Sequence, residues 1–268
     1  MNKFLSIVSF AWQRALTFRF TIFMYRFGEI AESVVLCIMW IAIYAGSGDG
    51  VSLIKGFTVQ EMVTYIFIGN ILTAFTRSYS TATIARDIFD GTLSMSLVKP
   101  ISYIRYVFYD RFGATLLVLL TAIVGQLIAS VFFLDYIIFN PDLMYLLVIV
   151  AMLFLAYLTE FLLNTIIGTV AFWVDDVDGL FSMTDRVRRF FAGGYFPLSI
   201  LPTGLAFVAT LLPFAYTFYV PAQLYLQKIS IKEGIIGLGI QIVWIALLYM
   251  LLKFIWNRGI RKYEGVGL

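Results

Sequence analysis

Residues 112–134 read FGATLLVLLTAIVGQLIASVFFL, with no charged side chain. A membrane-spanning helix needs about 20 predominantly apolar residues, so this stretch is long and apolar enough to cross a bilayer. The remainder of the 268-residue chain has the same character: hydrophobic types make up 61%, aromatics 18% and charged residues only 13%. Mean hydropathy is +0.92. A soluble domain carries about 25% charged residues. Too few charges are present to cover a water-exposed surface, and the bilayer must be the main solvent. The fold class that follows is an all-α polytopic membrane protein.

On either side of this stretch the pattern repeats. A first span is predicted over about residues 27–44, carrying Glu29 and Glu32 and ending in the turn-rich residues 45–50. A second covers about 62–81, a fourth 142–173 with Glu160 inside it, and a last one 234–252, followed by Arg258, Arg261 and Lys262. Segment 190–227 has no formal charge but contains Pro197, Pro202, Pro213 and Pro221. It is too long for one span and too broken for two. One net crossing that ends at Pro197, then re-entrant helices over 197–227, brings the total to six spans. Such irregular backbone is tolerated at membrane depth only where protein or a cavity shelters it.

Residues 1–20 do not read as a cleaved signal, because Arg14 and Arg19 interrupt the apolar run. Phe4, Val8, Ala11, Trp12 and Ala15 recur at helical spacing opposite Ser6, Ser9 and Gln13, as in a helix lying in the membrane interface. Of the 19 basic residues only Lys55, Lys228 and Lys232 fall on the predicted outer side. That skew places both termini in the cytoplasm. The chain reads as one membrane domain over 1–268.

Function is bounded first by subtraction. With no histidine and one cysteine, Cys37, the chain has no histidine-based triad, no His/Cys zinc site and no internal disulfide. No Gly-Lys dipeptide occurs, so no phosphate-binding loop of the usual type is present. The net charge of +3 fits a membrane orientation signal better than nucleic-acid binding. If ATP drives this chain, a partner hydrolyses it.

Ionisable groups at membrane depth cost about 2.5–3.5 kcal/mol each on insertion scales and are functional candidates. Glu29 and Glu32 follow Arg26 and read as an interfacial ion pair or a cation-attracting vestibule. Glu160 has Asn164 one turn on, for a hydrogen bond to a neighbouring helix or a substrate contact. Asn70, Thr73 and Arg77 share a face of the second span, for helix packing or substrate contact. Arg186 and Arg189 share a face near Arg188. They either line a cavity or anchor the chain at the cytoplasmic interface, where Asp185 reads as solvated.

Three stretches carry a family resemblance. One is Arg86-Asp87-Ile88-Phe89-Asp90-Gly91-Thr92-Leu93, followed by Leu97 and Pro100. Another runs through Phe196, Pro197 and Pro202 to Leu212, Pro213, Phe214 and Pro221. The third is the tail Arg258-Gly259-Ile260-Arg261-Lys262-Tyr263-Glu264. In this order and spacing they resemble the permease subunits of bacterial type-2 ABC exporters. The resemblance implies a chain of the bacterial inner membrane that is not itself an enzyme and pairs with a second permease, identical or paralogous. It also implies separate ABC ATPase subunits, on which ATP and Mg would bind. Their contact would be a coupling loop within 82–110, with Arg86, Asp87 and Asp90 as polar contacts, Gly91 and Pro100 as its turns, and Leu93 and Leu97 as hydrophobic knobs. Two other classes remain on the residues alone: an ion-gradient-driven carrier and a membrane-embedded lipid-modifying enzyme.

Overall fold

The computed structural model describes residues 3–46, 53–77, 80–140 and 142–263. Of the predicted break at 45–50, Ala45 and Gly46 belong to the end of a helix and 47–50 lie outside the described residues, as does the end of the tail, 264–268. All helices and no strands are found among the described residues: α1 (Lys3–Thr17), α2 (Arg19–Gly46), α3 (Val59–Thr76), α4 (Ser80–Phe89), α5 (Leu93–Leu97), α6 (Tyr103–Ser130), α7 (Leu143–Thr169), α8 (Asp178–Phe191), α9 (Thr203–Leu211), α10 (Tyr219–Tyr225) and α11 (Ile231–Lys262). Short 3₁₀ turns continue α6 to Tyr136 and α7 to Phe172.

The helix starts at one end of the bundle are written in the sequence. Thr58 with Glu61 and Ser230 with Glu233 form capping boxes for α3 and α11. Asp142 accepts from the Met144 and Tyr145 amides to start α7. Each side-chain oxygen satisfies amides that have no partner inside the helix.

Four helical segments are long and apolar enough to cross a membrane: Arg19–Gly46, Tyr103–Tyr136, Leu143–Phe172 and Ile231–Lys262. A fifth would come from Thr203–Leu211 joined to Pro213–Tyr225 across a 75° bend. The predicted second span is divided: α3 ends at Thr76, and α4 is a separate helix from Ser80. α3 turns apolar and polar side chains alike, among them Thr64, Tyr65 and Leu72, into the protein. The segment predicted to cross before Pro197 holds α8, which has only 14 residues, about 21 Å long, and carries Asp178, Asp185 and three arginines.

The four prolines each introduce a short helical piece. Pro197 and Pro202 stand directly before a 3₁₀ turn and α9, Pro213 opens the next turn, and Pro221 lies in the first turn of α10. In a first turn the missing amide hydrogen has no helical partner to lose.

α1 packs along α6, and its predicted membrane face is what meets that helix. Ala11 is fully buried, the Phe4 ring meets Tyr109 edge-on at 5.0 Å, and Arg14 pairs with Asp110 at 2.6 Å. A Cβ on Gly113 would lie 2.7 Å from the Val8 carbonyl oxygen, so glycine permits this approach. The exposed apolar side chains of α1 are instead Leu5, Phe10 and Leu16. α7 and α11 pack side by side. Gln241 of α11, 1% exposed, donates to the carbonyls of Met152 and Tyr216 and ties both helices to the broken segment.

Candidate functional site

The segment after α3 is an amphipathic helix and a tight turn. Ile84, Ala85 and Ile88 of α4 are buried with Phe161, Ala171 and Phe172. The attachment to α7 is direct: Thr81 donates its hydroxyl to the Asn164 carbonyl at 2.8 Å, and the Thr165 hydroxyl donates to Ser80 at 3.3 Å. Gly168 lies so close that a Cβ there would be 3.0 Å from Ile84. α4 and the second half of α7 are therefore one packed unit.

Gly91 reverses the chain at φ +73°, a left-handed conformation that glycine adopts without steric cost. The Ser94 hydroxyl donates to its carbonyl. Asp87, expected as a contact to another protein, faces inward: it accepts from the Thr92 hydroxyl at 3.1 Å and the Tyr103 hydroxyl at 2.6 Å. Leu93, expected as an exposed knob, is fully buried against the same cluster. Past the turn at Gly91, the first residue of α5 joins the buried cluster that holds Ile84 and Ile88. Leu97 is exposed, and two neighbours that the sequence reading passed over, Met95 and Val98, are more so, Val98 at 84%. Arg86, Phe89, Asp90 and Pro100 are also exposed. Pro100 lies before the Ser102 cap of α6 rather than in that helix's first turn.

One helical turn along α7 from Asn164, Glu160 meets Arg188 of α8 at 2.7 Å. Arg188 also approaches Asp185 at 3.4 Å, and Asp185 approaches Arg77, just past the end of α3, at 3.7 Å. Arg77 reaches Glu29 of α2 at 3.1 Å, and Glu29 pairs with Arg26. Beside this chain of contacts, Arg189 pairs with Glu32 at 2.6 Å and lies over the Tyr195 ring. Four carboxylates and four guanidiniums from four helices thus sum to zero formal charge. A cavity of about 60 Å³ opens among them, lined also by Thr73, Thr76, Gly194 and Thr217. That is room for a few waters, since one needs at least about 10–15 Å³ on this measure.

Several sequence candidates meet here and others do not. Thr73, Arg77, Glu160 and Arg189 line the cavity. Arg186 is exposed and makes no ion pair among the described residues. Asn70 donates to the Ile66 carbonyl of its own helix, and Asn164 is buried at the α4 junction. Asp185, read as solvated, bridges Arg77 and Arg188. Arg188 is the most deeply buried of the α8 arginines. Its partner is 28 residues away on another helix, and that pairing has no signature in local sequence.

A family model described as ABC-2 family transporter protein matches residues 30–267. None of the curated proteins compared matches the chain.

Proposed function

Since the chain belongs to the ABC-2 family of transporter proteins, we propose that it is the permease subunit of an ATP-driven exporter. In this reading it pairs with a second permease, and separate subunits bind ATP and Mg and act on it through α4 and α5. The α4–α5 end of the bundle and both termini lie in the cytoplasm, in a bacterial inner membrane. The bundle crosses six times. α3 makes one of those crossings among other helices, which relieves it of the need for an apolar surface toward lipid, and the other runs through α8, whose Arg188 and Arg189 are paired with Glu160 and Glu32. The α9–α10 segment re-enters from the far side.

The observation that carries this reading is the union of α4 with α7 one turn from Glu160. A push on the exposed surface of α5 reaches α7 through the Thr81–Asn164 and Thr165–Ser80 contacts. It moves Glu160 against α8, and the ion pairs across α2, α3, α7 and α8 must repack together. Packed interfaces of this kind switch between discrete arrangements rather than deform continuously. The cavity among Thr73, Arg77, Glu160 and Arg189 is then the part of the pathway nearest the motor.

The direct test is affinity capture of the tagged chain from native membranes, followed by mass spectrometry. An ABC ATPase subunit is expected in stoichiometric amount. Capture of the chain without any ATPase would remove the proposal.

Orientation is tested separately with an impermeant thiol reagent on intact cells. A cysteine replacing Ser230, at the head of α11, is expected to react, and one replacing Ser94 in α5 to stay protected. Labelling at Ser94 would overturn the assignment of that end to the cytoplasm.

A further inference from the structure

A groove of about 840 Å³ runs between the first half of α2 and the second half of α6. Its walls include Phe20, Phe23, Phe27, Leu120, Val124 and Ile128, and its lining contains Arg19 and Arg26 but no acidic residue. Both helices are long and apolar enough to span a membrane, so the groove meets hydrocarbon. The gap is fixed by contacts along its floor. Gln126 donates to the Ser33 hydroxyl at 3.2 Å, and Ile30 packs where Gly125 has no side chain.

Along α2 the lining runs from Arg19 to Val34, about 22 Å at 1.5 Å per residue. One leaflet of hydrocarbon is about 15 Å deep, half of a core about 30 Å thick. The groove is thus long enough for a lipid chain and its linkage to a headgroup. Its volume lies within the range of about 300–1,000 Å³ that small-ligand pockets occupy. The uncompensated charge is at one end. Arg19 is exposed there, whereas Arg26, two turns on and 6% exposed, is held by Glu29.

We infer that this groove holds one membrane phospholipid with an anionic headgroup, its phosphate at Arg19 and a chain along Phe23, Phe27, Leu120 and Val124. Guanidinium and phosphate form charge-assisted, often bidentate hydrogen bonds, and Arg19 stands exposed at the end of the groove to make them. The charge pattern disfavours a second copy of the chain. Two copies meeting here about an axis along the bilayer normal would set like arginines against each other. Glu29 already pairs with Arg26, but no acid in the lining would neutralise Arg19.

The test uses the full chain in nanodiscs of equal parts phosphatidylcholine and phosphatidylglycerol, moved to mild detergent for native mass spectrometry. One retained phosphatidylglycerol per chain is expected, favoured over phosphatidylcholine about fivefold, the share of a single basic residue at an anionic surface. Val124→Trp fills the groove from an exposed position and is expected to lower retention by about tenfold or more. Leu120→Trp does the same from the next turn, should the first variant fail to fold. Arg19→Gln is expected to keep the lipid but lose the headgroup preference. Equal retention of both lipids by the unaltered chain would sink the inference, as would undiminished retention by the folded tryptophan variants. A disulfide formed in native membranes between two copies carrying Val124→Cys would mean that protein covers the groove, and would sink it too.

Discussion

Leu97→Glu combined with Val98→Glu is expected to leave the chain folded and inserted while lowering its capture of ATPase subunits by about 100-fold or more. Both side chains already face outward, Leu97 at 44% and Val98 at 84% exposure, so charge there meets water in the isolated chain. Surface changes away from packed features usually alter stability by about 0.5 kcal/mol or less. In a complex the same two side chains would be desolvated. Fully burying a leucine or a valine contributes about 1.5–3 kcal/mol, scaled here by the exposed share of each, and the cost of desolvating two carboxylates in their place takes the loss past the 2.8 kcal/mol or so that a 100-fold change requires. Substrate-stimulated ATP hydrolysis by the reconstituted complex should fall in parallel. Leu93→Glu provides the contrast, since Leu93 is fully buried: that chain should lose folded yield, not merely ATPase capture. If the Leu97/Val98 variant couples as well as the unaltered chain, α5 is not the contact surface.

The contrast between Leu93 and Leu97 also shows where sequence reading reached its limit. Gly91 was legible as a turn, because a glycine after a short amphipathic run marks a helix end. Which way the chain leaves that turn depends on φ +73° at Gly91 and on the Tyr103–Asp87 hydrogen bond, and neither is encoded in periodicity. Past that turn Leu93 joins the buried cluster of Ile84 and Phe172, while Met95 and Val98 are exposed. The same holds for α3. Its predicted span runs on to residue 81, but past Thr76 the sequence turns polar, Arg77 is held by Glu29 and Asp185 on other helices, and the backbone there turns extended. Spans that are apolar along their whole length, such as residues 112–134, were readable because the bilayer imposes one rule on every residue that faces it. Helices sheltered by others obey their neighbours instead.

α8 is the sharpest case. Read alone, Asp185 looks solvated, and Arg186, Arg188 and Arg189 either line a cavity or anchor the chain at the interface. Folded, Arg188 and Arg189 turn inward toward Glu160 and Glu32, and Arg186 turns away. The sequence held the signal in scattered form: Glu29, Glu32, Arg77 and Glu160 were each costly at membrane depth, and a costly charge requires a partner. What was missing was the matching of partners, which depends on helix order and rotation.

That matching makes an asymmetric prediction for Glu160 and Arg188. Arg188→Met should destabilise the chain by about 3–5 kcal/mol, because it leaves the Glu160 carboxylate inside the bundle without its ion-pair partner. Glu160→Gln should be milder, at about 1–2 kcal/mol, since Arg188 keeps Asp185 at 3.4 Å and the amide still accepts a hydrogen bond. Glu160→Leu together with Arg188→Met should recover most of the loss, as replacing a buried ion pair by apolar side chains is often neutral or stabilising. Thermal unfolding in nanodiscs measures all three. Transport separates stability from function. If the ion pairs transmit motion from α4 to α8, the double variant will be as stable as the unaltered chain, will bind the ATPase, and will still fail to transport. A packed apolar contact can slide where a charged one must exchange partners, so α7 would move without carrying α8 along. Normal transport by the double variant would reduce the Glu160–Arg188 pair to a packing element and move the pathway's charged gate to Arg189 and Glu32.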